Sequence, residues 1–332
     1  MGDLDLGWGD PYFLLEILDN MYKPHFGFQR PKIKSMNYAP TDGKAKLLDC
    51  VRAITEHTTG NRYNYYIITN GATQALNTIM RAWHRFDGID TVITGKFGYP
   101  YYPHMIKKND LIHNAVDLKG YEEVWGDAMA IVDSPANPFG NQFQGSIKSV
   151  LDKKPPIVWD AVYHNTIYNA CPAIQPDHSV YVGSFSKLLG LTGARIGWIA
   201  TNCPVDYRHF SEEAMYENAT ISKPSQNLIT DVLNNINLDE FMHLGKNSLD
   251  QNRESLHKLS YLLGTDVQEK GMFYCAEVDD KMLKLFDKAE VKYIEFKDKN
   301  KKFIRLNIGQ TNGIINKAVE AVQKVDGVGR AK

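Results

Sequence analysis

The chain has 332 residues, 43% of them hydrophobic and 23% charged, and its 38 Lys and Arg against 39 Asp and Glu leave a net charge of -1. That length corresponds to roughly two domains at about 150 residues each, with interior enough for a large core. Near-neutral charge gives no long-range attraction to nucleic acid or anionic lipid, and no apolar run reaches the roughly 18 to 20 residues that cross a bilayer, so neither partner is expected.

Residues 1–5 are acidic and lack the basic stretch and apolar run of a secretory signal, so a cytoplasmic protein is expected. Short apolar runs then alternate with longer amphipathic ones. Strands are predicted at Tyr65–Thr69, 91–94, 128–132, 157–159, 180–183 and 196–200, with a helix after the first whose apolar face is Ala75, Leu76, Ile79, Met80 and Trp83. The alternation predicts an α/β fold over about residues 45–203: a mostly parallel sheet with helices on both faces and a ligand site at the carboxyl ends of its strands.

Beyond residue 203 the pattern becomes α+β. Helices are predicted at 205–218, 225–235, 247–263 and 312–323, and strands at 272–278 and 303–308. A large domain over 37–220 and a smaller one made from 1–36 with 221–332 follow, the first segment carrying too little apolar sequence to fold alone. Cys50, Cys171, Cys203 and Cys275 are scattered, without CxxC pairs or histidine clusters, so no metal site and no disulfide framework is expected.

The residues with the most chemistry are Ser184-Phe185-Ser186-Lys187, followed eight positions after the lysine by Arg195. A lysine at the end of an apolar strand, partly desolvated and near a second cation, has a lowered pKa. Its neutral amine can form a Schiff base with a carbonyl such as that of pyridoxal phosphate. Asn70-Gly71-Ala72-Thr73 passes from strand through a glycine turn into a helix, where unpaired amides of Gly71, Ala72 and Thr73 suit a phosphate, although Asn-Gly alone is only a turn. Asn137 emerges after the strand at 128–132, placed to bond a phenolic oxygen. Asp160 ends an almost wholly apolar strand, where a carboxylate needs a cation such as a protonated pyridine nitrogen. Tyr163 follows as a donor to the ring hydroxyl or as core. In the aromatic loop from Phe97 to Pro103, Tyr102 is the expected ring-stacking residue.

Taken in order along successive strand ends, these segments resemble a fold-type I pyridoxal-phosphate enzyme of the aminotransferase superfamily, over about residues 7–325. Gly9-Asp10-Pro11, Ser134-Pro135-Ala136-Asn137-Pro138 and Ser222-Lys223-Pro224-Ser225-Gln226 bring it nearest to the alliinase and tryptophan-aminotransferase group. The resemblance implies a cofactor held at Lys187 as a Schiff base. It places Asp160 on the pyridine nitrogen, Asn137 and Tyr163 on the ring oxygen, and Ser184, Ser186, Arg195 and the Gly71 to Thr73 amides about the phosphate. It implies a substrate carboxylate clamped by Arg305, with Gly9 and Asn137 beside it, because the bidentate fork suits arginine and not lysine. It further implies a homodimer with shared active sites, in which Tyr38 reaches the neighbour's phosphate.

An aminotransferase moving the amino group of an L-amino acid, aromatic or neutral, to a 2-oxo acid is the expected activity. A β- or γ-eliminating lyase uses the same carbanion, and no single residue separates the two. The sequence contains no trace of the cysteine-rich module that precedes the catalytic part of alliinases, so a secreted lyase is the less expected of the two. A Ser-x-x-Lys hydrolase fits Ser184 and Lys187 in spacing but has its partner motifs in the wrong order. A non-catalytic module on this fold leaves so full a set of cofactor contacts unexplained.

Overall fold

The computed structural model describes residues 4–22, 37–116, 128–140, 156–169, 179–264 and 268–327. In chain order these form α1 (Tyr12–Met21), α2 (Ala45–Thr59), β1 (Tyr65–Thr69), α3 (Gly71–Asp87), β2 (Thr91–Gly95), α4 (Tyr102–Lys108), β3 (Ile112–Val116), β4 (Ala128–Asp133), β5 (Ile157–Asp160), β6 (Ser179–Ser184), α5 (Phe185–Leu188) and β7 (Gly197–Thr201). They continue through α6 (Pro204–Asn218), α7 (Lys223–Asn235), α8 (Leu238–His257), α9 (Ser260–Leu263), β8 (Phe273–Val278), α10 (Asp280–Lys288), β9 (Ile294–Asp298), β10 (Lys301–Asn307) and α11 (Asn312–Asp326).

Seven strands make one sheet in the order β1-β7-β6-β5-β4-β2-β3, parallel except for β7, which runs antiparallel to both β1 and β6. The exception has a simple cause. The link from β6 to β7 holds only α5 and a short turn, too little for the crossover that a parallel neighbour requires. β4, β5 and β6 are buried along their whole length, as expected for central strands covered on both faces.

Side chains alternate between two cores. Ile67, Met129, Ile131, Val158, Val180, Val182 and Ile199 face α3, α4 and α6, while Ile68, Ala130, Val132, Trp159, Tyr181 and Trp198 face the core shared with the rest of the chain. The amphipathic face of α3 is the one read from sequence, and the helix ends where Gly88 takes a left-handed conformation.

The smaller sheet, in the order β8-β10-β9, is antiparallel; α9 packs on β8, and α11 packs on both α8 and α10. The N-terminal segment is stitched to it: Leu6 N–H donates to Lys292 O at 3.0 Å, Asn307 N–H to Leu6 O at 2.7 Å and Phe13 N–H to Gly309 O at 3.2 Å. One helix differs from expectation. The segment predicted at 247–263 divides into two: α8 starts at Leu238, where the Asn237 side chain caps it by accepting from Glu240 N–H at 3.2 Å, and ends at His257, and residues 260–263 form the separate α9. No helix among the described residues is long and apolar enough to cross a membrane, and none of their His, Cys, Asp and Glu side chains cluster as metal ligands.

Candidate active site

Parallel strands deliver their carboxyl ends to one edge of the sheet, and β7, running the other way, starts there. Asn70, Asp133, Asp160, Ser184 and Arg195 therefore converge, although more than a hundred residues separate the first from the last. Asp133, Asp160, Ser184 and Arg195 line a cavity of about 230 Å³ together with Asp10, Ala72, Thr73, Tyr99, Asn137, Tyr163, Ser186 and Lys187, and Asn70 leads into the helix that carries Ala72 and Thr73.

One end of this cavity suits an anion. α3 begins at Gly71 and its N-cap residue, Asn70, makes no side-chain cap, so the first-turn amides point into the cavity without a protein acceptor from that side chain. The Arg195 guanidinium lies against the same turn, its Nη2 donating to Asn70 O at 3.3 Å and its Nη1 to Thr192 O at 3.1 Å. Gly71 has φ +76° and a Cβ there would sit 2.4 Å from Arg195 Nη2. A Cβ on Gly197 would meet Gly71 C at 2.6 Å, so both glycines permit the close approach. Gly71→Ala is expected to displace Arg195 and to weaken pyridoxal 5′-phosphate binding by about tenfold or more. It should leave the affinity for pyridoxal, which lacks the phosphate, almost unchanged, as absorbance titrations of the two ligands would measure.

Lys187 sits on α5, directly after β6. Ser184 caps that turn by accepting from Ser186 N–H at 3.1 Å, and the Tyr168 hydroxyl donates to Lys187 O at 2.7 Å. The amine donates to Gly9 O at 2.5 Å and lies 3.8 Å from Asp10 Oδ1. Burial lowers its pKa to about 8, the Asp10 charge opposing that shift and the Arg195 and Arg305 charges reinforcing it. Near neutral pH a minority of the amine is thus neutral, far more than for a free lysine, and neutral is the state a nucleophilic or proton-moving amine requires.

Asp160, 9% exposed at the end of β5, accepts from the Tyr102 hydroxyl at 2.5 Å and from Val162 N–H at 3.3 Å. Burial raises its pKa, with those two donors opposing. A carboxylate so placed, with no cation within ion-pair distance among the described residues, fits a ligand that carries its own positive charge.

Arg305, in β10, donates from Nη1 to Asn137 Oδ1 at 3.2 Å and from Nη2 to Gly7 O at 3.0 Å, and its guanidinium lies over the Phe273 ring at 4.3 Å. Its Nε is buried without a hydrogen-bond partner and, among the described residues, no carboxylate pairs with it. Arg305 lines a second cavity of about 350 Å³ that shares Tyr99 and Asn137 with the first and is walled by Phe97, Phe296, His113 and Thr94.

Of the residues expected from sequence, the fold brings Ala72, Thr73, Asn137, Asp160, Tyr163, Ser184, Ser186, Lys187 and Arg195 to the first cavity, with Gly71 and Gly9 immediately behind it. Two lie elsewhere. Tyr102, expected to stack on the ring, is on the inner side of α4, 1% exposed, with its hydroxyl spent on Asp160; the aromatic ring at the cavity wall is that of Tyr99. Tyr38 is 82% exposed and lines neither cavity. The sequence reading missed Tyr99, Tyr168 and Asp133. For Asp133 a signal existed: like Asp160, it is an acid closing an otherwise wholly apolar strand.

Comparison with known proteins agrees with this geometry. Across 97% of the chain and 93% of the other, the fold superposes on an Escherichia coli protein, YbdL, for which a methionine aminotransferase function was identified, with a TM-score of 0.77 at 19% identity. An aromatic aminotransferase from Pyrococcus horikoshii superposes with a TM-score of 0.80 at 15% identity over 98% and 96% of the two chains. A Thermus thermophilus aspartate aminotransferase double mutant gives 0.78 at 17% over 97% and 91%. In sequence, tryptophan aminotransferase-related protein 2 of Arabidopsis thaliana is 26% identical over 204 residues, which are 60% of this chain and 45% of that one, so the match spans under half of the curated relative's length. A profile of the family described as aminotransferase class I and II matches residues 32–322. With the lysine, the acid beneath the cavity and the anion cradle all inside that match, the chain belongs to the class I and II aminotransferases, enzymes that depend on pyridoxal phosphate.

Proposed function

We propose that the chain transfers the amino group of an L-amino acid, aromatic or neutral, to a 2-oxo acid, with Lys187 as the group that captures the cofactor and moves the proton at the substrate Cα. The observation that carries this reading is the Lys187 amine, its pKa lowered to about 8, held between an anion cradle and an arginine without a carboxylate partner. Each group has a task. The first-turn amides of α3, Arg195 and Ser184 hold the phosphate, Asp160 holds a cationic ring nitrogen, Asn137 and Tyr163 bond the ring oxygen, and Tyr99 covers the ring. Arg305 binds the substrate carboxylate and so aims the Cα hydrogen at Lys187 Nζ. Bound pyridoxal phosphate supplies the electron sink for the charge left when that proton is taken.

The second cavity supports the substrate preference, since Phe97, Tyr99 and Phe296 give it an aromatic wall. A homodimer is part of the proposal: Tyr38 is exposed for a partner's site, and Trp8 and Tyr12 are exposed on the segment carrying Gly9 and Asp10. A cytoplasmic setting accords with Cys50, Cys203 and Cys275 as free thiols; Cys171 lies outside the described residues.

The test is to incubate the loaded protein with single amino acids, with and without a 2-oxo acid. Keto acid and new amino acid formed only when the acceptor is present support the proposal, whereas ammonia released without an acceptor would indicate elimination. Arg305→Lys is expected to raise KM for the amino acid by about 10- to 100-fold, as the bidentate contact is lost. Activity on the matching amine without a carboxylate should change little; an equal loss on both would remove Arg305 from the carboxylate site.

A further inference from the structure

Asp133 ends β4 and Asp160 ends β5, and the two are register partners on neighbouring parallel strands, so their side chains leave the sheet on the same face. Both are under 10% exposed and both line the first cavity. Nothing in the proposed function uses Asp133. Two ionised carboxylates side by side in a buried site repel each other strongly, and the usual resolution is that one keeps a proton.

Which one keeps it follows from their donors. Asp160 accepts from the Tyr102 hydroxyl at 2.5 Å and from Val162 N–H at 3.3 Å, both of which favour its charged form. From other residues, Asp133 accepts Asn137 N–H on Oδ2 at 3.3 Å. The loop carrying Tyr99 closes over it: a Cβ at Gly98 would stand 3.2 Å from Asp133 Oδ2. The charged and titratable groups around the pair are Lys187 on α5, Arg195 before β7, Arg305 on β10, Asp10, Tyr99, Tyr102 and Tyr163. Among the described residues, none of the cations pairs with Asp133.

We propose that Asp133 is a positioning residue that stays protonated beside the Asp160 carboxylate, so that the floor of the cavity carries one negative charge and not two. The same side chain holds the Asn137 backbone, and Asn137 in turn receives Arg305 Nη1, so Asp133 ties the cofactor floor to the carboxylate-binding arginine. Burial, with the Asp160 charge adding to it, lifts the Asp133 pKa to about 8. Above that pH the second charge develops and opposes an anionic phosphate ligand.

The proposal rests on the functional reading only where it takes Asp160 as partner of a ring cation, and its test separates the two. Infrared spectra of the apoprotein titrated with alkali should contain a carboxylic-acid carbonyl band that persists at neutral pH and vanishes through about pH 8. The band should be absent from Asp133→Asn, and in Asp160→Asn should titrate about one pH unit or more lower, since the neighbouring charge is gone. No acid band at neutral pH in the unaltered protein, or a band kept in Asp133→Asn and lost in Asp160→Asn, overturns the proposal without reference to any ligand.

In the second arm, dissociation constants for pyridoxal 5′-phosphate are measured for the unaltered protein and Asp133→Asn. They should agree within about threefold near pH 7, where the amide mimics the neutral acid, and diverge by about tenfold near pH 9, the unaltered protein binding more weakly. A ratio that stays flat with pH overturns the proposal. Failure of both proteins to bind the cofactor would overturn the functional reading and leave the infrared result to decide the protonation.

Discussion

Replacing Lys187 with Ala is expected to reduce amino transfer by at least roughly 10³-fold, the upper part of the range for a positioned general acid–base group. The variant should still bind pyridoxal phosphate, because the α3 amides, Arg195, Asp160 and Tyr163 are untouched. Small primary amines should restore part of the rate in proportion to their concentration, since truncation leaves room where the Lys187 side chain lay. Steady-state assays with and without added amine check both points, and transfer at the normal rate would remove Lys187 from the reaction. A pH dependence follows from the same environment. Burial holds the amine's pKa near 8, so below that pH most of the apoprotein carries an ammonium that cannot attack a carbonyl. Capture of added pyridoxal phosphate, followed by stopped-flow absorbance, should therefore quicken with rising pH and level off above about 8, and Lys187→Ala should lack this phase.

Much of this site was legible because an ionisable side chain at the end of an apolar strand is conspicuous. Lys187 after β6 and Asp160 closing β5 stand out as ionisable groups ending apolar strands, and Gly71 as the turn into a helix start that suits an anion, whereas the place of Arg195 at the phosphate came from the family resemblance. Periodicity placed the strands at 65–69, 91–94, 128–132, 157–159 and 180–183 within a residue of their observed bounds, because fully buried strands are short, continuous apolar runs. It missed β3 and β9, whose exposed alternating residues carry little apolar signal. The choice between Tyr99 and Tyr102 was out of reach. Both lie in one aromatic loop, and only the turn that starts α4 at Tyr102 decides that its ring goes inward to Asp160 while Tyr99 faces the cavity. Asp133 was missed for another reason: the apolar run ends at Val132, so the predicted strand 128–132 stopped one residue short of the acid that closes β4.

Asp160→Asn is expected to change stability and catalysis in opposite directions. The folded protein raises the Asp160 pKa by burial, so between the ordinary carboxylate range and that raised value the unfolded chain binds fewer protons than the folded one. Stability contributed by this group is therefore lost as pH rises through that interval. An amide escapes the penalty, and the Asp160→Asn apoprotein should show a higher melting temperature than the unaltered apoprotein at neutral pH, the difference shrinking in acid. Catalysis should go the other way. Once a ring cation fills the cavity, the Asp160 carboxylate gains the partner it otherwise lacks, and removing its charge from a buried pair costs about 3 kcal/mol or more, roughly two orders of magnitude in rate. Exchange of the substrate Cα hydrogen with solvent isotope reports that step directly and should fall by about 10²-fold or more. A variant that is both less stable as apoprotein and unimpaired in exchange would show that Asp160 is a structural acid. The opposed outcome would identify it as a charge the fold tolerates at a stability cost because the cofactor requires it.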